Sequence, residues 1–118
     1  HLLGDGTQVR CYTYGGDLAR GIRLAMESDA AVNEDFNLST PTSTTVLALA
    51  ELIWRKVHGP GRPFAWVSDP PFEHDVPHRV PDVRKAREVL GFETTTSLSE
   101  MLDEVIPWIR AEDAAGRI

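Results

Sequence analysis

Across residues 7–14 the side chains alternate in character. In an extended backbone Gln8, Arg10, Tyr12 and Tyr14 share one face, and Val9, Cys11 and Thr13 the other. Just before this segment, Leu2-Leu3-Gly4-Asp5-Gly6-Thr7 sets an Asp-Gly pair between residues of good strand propensity, which predicts a hairpin. The period then changes. Leu18, Ile22, Ala25 and Met26 recur at i, i+4, i+7 and i+8, one face of a helix that Asp17 would cap and that ends near Ser28. Phe36-Asn37-Leu38-Ser39 predicts a short strand, separated by Pro41 and its Ser/Thr neighbours from a second helix over residues 43–58. The apolar face of that helix carries Val46, Leu49, Ala50, Ile53, Trp54 and Val57, and Gly59-Pro60-Gly61 stops it. Residues 64–67 predict another strand. Residues 69–78, with Pro70, Pro71 and Pro77, predict an ordered, extended loop.

Asp82 is placed to cap a short third helix that Gly91 would end in the left-handed conformation. Ser97 and Glu100 have the spacing of a capping box, opening a fourth helix with Leu98, Met101, Leu102, Val105, Ile106 and Ile109 on its apolar side. Pro107 inside that pattern predicts a bend or an early end. Short strands alternating with about four helices make a small α/β unit, expected to form one domain over residues 1–110 with a frayed polar tail at 111–118. A chain of 118 residues has the size of one domain.

Composition narrows the classes of partner. The longest apolar stretch, residues 46–54, is short and broken by Glu51, whereas a membrane helix needs about 20 apolar residues. Twelve Lys+Arg against eighteen Asp+Glu give a net charge of −6, so a nucleic-acid partner is not expected. Cys11 is the single cysteine, which excludes an internal disulfide and a cysteine-based zinc cage and points to a reducing, cytoplasmic setting. The sequence opens at His1 without Met, and a piece of a longer chain is expected.

Searches for catalytic patterns come back empty. There is no Gly-x-Gly-x-x-Gly turn, no P-loop, no Tyr-x-x-x-Lys pair and no serine in a Gly-x-Ser-x-Gly elbow. Gly15-Gly16 before the first helix serves turn geometry better than a phosphate cradle. Glu73, His74, Asp75 and His78 resemble a metal cluster only on a helix, which Pro77 opposes; they read as solvated loop residues, and no metal site is assigned. Arg10 and Arg79 are more informative. Guanidinium forks match phosphate oxygens, so two arginines from separate segments can clamp a diphosphate even on an acidic protein; the alternative is that each makes a surface ion pair.

The order of motifs then carries a resemblance. Gly4-Asp5-Gly6-Thr7-Gln8-Val9-Arg10, Tyr12-Thr13-Tyr14 and Asp17-Leu18-Ala19 resemble the segment that opens the substrate-binding half of extended short-chain dehydrogenase/reductases. These are the NAD-dependent epimerase/dehydratase enzymes that act on nucleotide sugars, with UDP-glucose 4-epimerase among them. Phe36-Asn37-Leu38 is similar to that family's short strand. Arg79-Val80-Pro81-Asp82-Val83-Arg84-Lys85-Ala86 with Leu90-Gly91-Phe92 resembles its Arg-x-Pro-Asp-x-x-Lys-Ala…Leu-Gly signature, and the last helix fits as well.

The resemblance implies an α/β C-terminal substrate domain without a Rossmann domain, taking a nucleotide diphosphate sugar. Arg10 and Arg79 fall on the family's diphosphate positions and Gln8 near the nucleotide or sugar. It implies no catalytic residue and no cofactor in this chain. NAD and the Tyr/Lys pair belong to the N-terminal Rossmann half of a full-length parent. Alone, the chain is expected to be inactive, with either that half or a second copy covering its exposed face. The alternative is a free-standing ligand-binding or self-associating module. Gly15-Gly16 stands where the family usually carries Val and a polar or acidic residue, which implies a looser turn; Asp17 is assigned to helix capping. Nucleotide, sugar and reaction type are set largely in the other half.

Overall fold

The computed structural model describes residues 1–118. Its elements are β1 (Leu2–Leu3), β2 (Val9–Arg10), α1 (Gly15–Glu27), a 3-10 turn (Asp29–Ala31), β3 (Thr44–Thr45), α2 (Val46–His58), β4 (Ser68–Asp69), α3 (Arg84–Leu90) and α4 (Leu98–Ala114). This is a small α/β arrangement of four helices and short strands, with no doubly wound parallel sheet.

The Asp-Gly turn forms without making a hairpin. Asp5 accepts hydrogen bonds from the Thr7 amide (2.9 Å) and hydroxyl (2.6 Å), while Gly4 and Gly6 take φ of 75° and 74°. A Cβ on Gly6 would lie 2.9 Å from Leu47 Cβ, so the turn closes against α2 and sends its two strands to different partners. β1 runs parallel to β4, Leu2 opposite Ser68 and Leu3 opposite Asp69. β2 runs antiparallel to β3, Val9 opposite Thr45 and Arg10 opposite Thr44. Along its other side, the Val9 amide donates to Pro77 O (2.8 Å) and Val9 O accepts from the Arg79 amide (3.0 Å). β2 therefore lies between β3 and the end of the proline-rich loop.

Other boundaries follow local chemistry. Thr45 caps α2 by accepting from the Ala48 amide (3.1 Å), and Gly59 at φ 76° ends it. Gly91 closes α3 in the left-handed conformation, with the Phe92 amide donating to Ala86 O (3.2 Å). The Ser97/Glu100 capping box is present. Pro107 removes one amide donor, but the turns on either side keep theirs, and α4 continues to Ala114 through part of the segment expected to fray. Residues 36–39 are not a strand; side chains hold them, with the Thr13 and Ser39 hydroxyls 3.0 Å apart and Asn37 donating to Asp82 O (3.0 Å). The strand expected at 64–67 forms instead at Ser68–Asp69, directly before Pro70.

Asp17 corrects the capping assignment. The residue at the N-cap of α1 is Tyr14, whose side chain makes no cap bond, and Asp17 sits within the first turn. Only 3% exposed, it accepts from Arg20 Nη2 (2.7 Å), the Thr95 amide (3.1 Å) and hydroxyl (2.9 Å), and the Thr96 amide (3.0 Å). Burial pushes its carboxyl up, yet the bonds from Arg20, Thr96 and Thr95 together hold it at about 2. It thus pins α1 to the connection between α3 and α4.

The molecule closes little core of its own. Seven residues are buried, and among apolar side chains only Ala86, Phe92 and Leu102. The radius of gyration is 17.1 Å, against about 13–14 Å for a compact chain of this length. The stripe predicted on α1 points outward in part, with Leu18, Ile22 and Met26 exposed, because no second layer of this chain covers it. Where α1 does pack, it packs closely. A Cβ on Gly21 would fall 2.8 Å from the ring of buried Phe92 and 3.2 Å from Leu38. Gly21→Ala would gain about 1 kcal/mol in helix propensity but incur about 1–3 kcal/mol of overpacking, so a lower Tm is expected in thermal unfolding; a higher Tm would contradict this packing.

Candidate functional site

The pairing around β2 brings two distant arginines to one place. Arg10 is the second residue of β2, and Arg79 follows the proline-rich loop, its amide bonded to Val9 O. Both line an open cavity of about 850 Å³, together with Cys11, Tyr12, Asn37 and Ser39. That volume lies within the roughly 300–1,000 Å³ of small-molecule sites. No carboxylate lines the cavity.

The two cations are held differently. Arg10 donates through Nη1 to Val9 O (2.8 Å) and through Nη2 to Asp75 Oδ1 (3.0 Å). Arg79 is exposed and makes no ion pair. Sequence reasoning left open whether both would make surface pairs; one does and one does not. Burial pushes the Cys11 thiol up and is the main cause of the raised Tyr12 phenol, so neither is poised near neutrality as a nucleophile or base. The side chains suit anion binding more than bond making.

Gln8 lies apart from the arginines. Its amide nitrogen donates to Leu3 O (3.0 Å), its side-chain oxygen is buried without a partner, and it does not line the cavity. The alternation from 7 to 14 holds only where the backbone is a strand, at Val9–Arg10; Gln8 still belongs to the turn and reaches back across Gly4. Glu73 and His74 stand in solvent, and Asp75 turns away from them to Arg10, so these loop residues do not gather into a metal cluster. Sequence reasoning missed Asp75 as the partner of Arg10. The available signal was a carboxylate four residues ahead of Arg79, in a loop whose prolines favour extended backbone.

Of the Gly15-Gly16 pair, Gly16 has a specific use, while a Cβ on Gly15 would meet nothing within 4 Å. A Cβ on Gly16 would come within 2.5 Å of the Tyr14 ring, which folds over it and sends its hydroxyl to Glu104 on α4. The start of α1 is filled by this ring. With no glycine-rich strand-to-helix turn elsewhere, these residues do not fit the pyrophosphate of a dinucleotide. Beside the cavity, Asn37, Asp82, Arg84, Lys85 and Glu88 line a smaller polar hollow. There the Arg84 guanidinium and amide bond the Asp82 carboxyl and hold it at about 2.

By its sequence and fold the chain belongs to the extended short-chain dehydrogenase/reductases. A profile of the GDP-mannose 4,6 dehydratase family matches residues 1–105, and the chain is a member of that family. It is 38% identical over 106 residues to UDP-glucuronic acid decarboxylase 1 of Arabidopsis thaliana, covering 89% of this chain and 23% of that one. Among solved structures it resembles UDP-glucose 4-epimerase from Thermotoga maritima with UDP-glucose, at TM-score 0.81 and 38% identity, covering 94% of this chain and 34% of that one. It also resembles UDP-glucuronic acid 4-epimerase from Bacillus cereus in complex with UDP-glucuronic acid and NAD, at TM-score 0.82 and 25% identity, covering 93% and 34%. The chain therefore spans about a quarter to a third of the length of these relatives.

Proposed function

We propose that the chain is the nucleotide-sugar-binding portion of an NAD-dependent sugar epimerase, dehydratase or decarboxylase. Arg10 and Arg79 grip the diphosphate. The observation that carries this is the convergence of two arginines, 69 positions apart, on one cavity through the backbone bonds of Val9. A diphosphate presents oxygens on two phosphorus centres, and two guanidinium forks can each take a pair of them. Binding a part of the substrate remote from the reacting sugar carbons supplies orientation for chemistry elsewhere, so such a portion contributes to rate without a reacting group of its own. NAD would supply hydride transfer in the parent enzyme. These residues do not fit it, and by themselves they would bind without turning over.

Calorimetric titration of the 118-residue chain tests this. UDP-glucose is expected to bind weakly and NAD to give no binding heat; tight NAD binding would overturn the proposal. A second reading, a self-associating module, draws on the uncovered apolar face of Leu18, Ile22 and Met26. Sedimentation equilibrium separates the two: a defined dimer favours the module, whereas ill-defined association favours a portion awaiting its dinucleotide-binding half.

A further inference from the structure

Residues 36–39 have the side-chain alternation of a strand without its pairing. Phe36 and Leu38 line an apolar groove with Ile22, Ala25 and Met26 of α1, while Asn37 and Ser39 line the arginine cavity on the other side. Each face of the segment thus has neighbours in this chain. Its edges have none: no backbone N–H or C=O of residues 36–39 makes a hydrogen bond, and side chains hold the segment, Asn37 to Asp82 O and Ser39 to Thr13. The helix above it is wider than the segment. A Cβ on Gly21 would lie 3.2 Å from Leu38, so residue 38 sits against the middle of α1, yet Ile22 and Met26 stay exposed, Met26 at 82%. A helix is about 10 Å across and neighbouring strands lie about 4.8 Å apart, so one helix covers about two strands. This chain supplies one.

We infer that residues 36–39 are a docking strand: they pair edge to edge with a β-sheet outside this chain, the exposed face of α1 closes over the next strand of that sheet, and the sheet is that of the dinucleotide-binding half of the parent enzyme. This rests on the proposed reading of the chain as one portion of such an enzyme. A row of unpaired N–H and C=O groups recognises another strand through backbone hydrogen bonds, and the apolar stripe beside it selects a strand whose facing side chains are apolar. Dinucleotide-binding domains are built on parallel sheets with helices on both faces, whose strands are apolar on both sides. This chain contains no such sheet; its strands are two residues long and pair in twos. It spans about a quarter to a third of its relatives, which leaves a parent of that length ample chain for one. Pairing at this edge also sets the arginine cavity, which Asn37 and Ser39 line, in a fixed place relative to the half that carries the cofactor.

The test joins to this chain the remainder of the Thermotoga maritima UDP-glucose 4-epimerase that it does not cover, and follows backbone amide exchange in the fusion and in the 118-residue chain. In the chain alone the amides of residues 36–39 should exchange freely at any concentration; in the fusion at least two of them should slow by about 100-fold or more. Met26→Asp should move the Tm of the chain alone by no more than about 3 °C and lower that of the fusion by about 5 °C or more, because only there does it bury a carboxylate without a partner. Amides that exchange as fast in the fusion as in the chain alone overturn the proposal, as does a fusion whose two parts unfold independently. Protection that grows with concentration in the chain alone also overturns it, since a second copy then takes the edge. Calorimetry with UDP-glucose on the same fusion reads the substrate role separately. Protected amides without binding keep the docking strand and remove that role; binding with freely exchanging amides removes the docking strand and keeps the role.

Discussion

Arg79→Ala is expected to weaken UDP-glucose binding about 10- to 100-fold while leaving the thermal unfolding of the chain within a degree or so of wild type. The binding loss follows from removing charge-assisted hydrogen bonds worth about 1.5–3 kcal/mol. The unchanged stability follows from the surroundings of Arg79: its guanidinium is exposed and makes no ion pair, and its structural contribution is the backbone bond to Val9, which alanine keeps. Arg79→Lys should recover part of the loss, since an ammonium keeps the charge and loses the planar fork. Arg10→Ala should behave differently, because it also strips Asp75 of its partner and loosens the loop. Parallel calorimetry and thermal unfolding check all three variants. A large Tm drop in Arg79→Ala would make the residue structural and remove this support for a ligand clamp.

Asp17→Ala is expected to be the most damaging single change for the fold, at about 2–4 kcal/mol, because the Thr95 and Thr96 amides and the Arg20 guanidinium lose a shared acceptor that is almost wholly buried. In a domain of this size that lowers Tm by roughly 10 °C or more. Asp17→Asn should cost less, since the amide oxygen still accepts one bond. The pH dependence gives an independent check. The folded carboxyl lies at about 2, below its ordinary 3.8, so its contribution is fully present above about pH 4 and is lost as pH falls through 2. The stability gap between wild type and Asp17→Asn, followed by chemical denaturation from pH 7 down to pH 2, should therefore shrink only at the acid end. A gap that stays constant to pH 2 would contradict the assignment.

Local features were legible in the sequence where they depend on neighbours in the chain. Ser97 and Glu100 form their capping box, Gly91 ends α3, and the apolar periodicities locate α1, α2 and α4. Features that depend on tertiary partners were not. Asp17 has the composition and position of a cap, and only the approach of Thr95 and Thr96 makes it a buried acceptor. The Asp-Gly turn has the composition of a hairpin, and Leu47 against Gly6 diverts it. The arginines were singled out by residue type and by resemblance; their common cavity depends on three segments meeting at Val9. Gln8 shares their sequence face and misses their cavity, because a two-residue strand is too short to carry the alternation back to it.

The central claim is that an anionic nucleotide ligand is held between Arg10 and Arg79. Following the side-chain Nε–H resonances of the arginines by NMR while UDP-glucose is added tests it most directly. The account predicts shifts at Arg10 and Arg79, with Arg23, Arg55 and Arg110 unmoved. Saturable binding that leaves both Arg10 and Arg79 unmoved would contradict it.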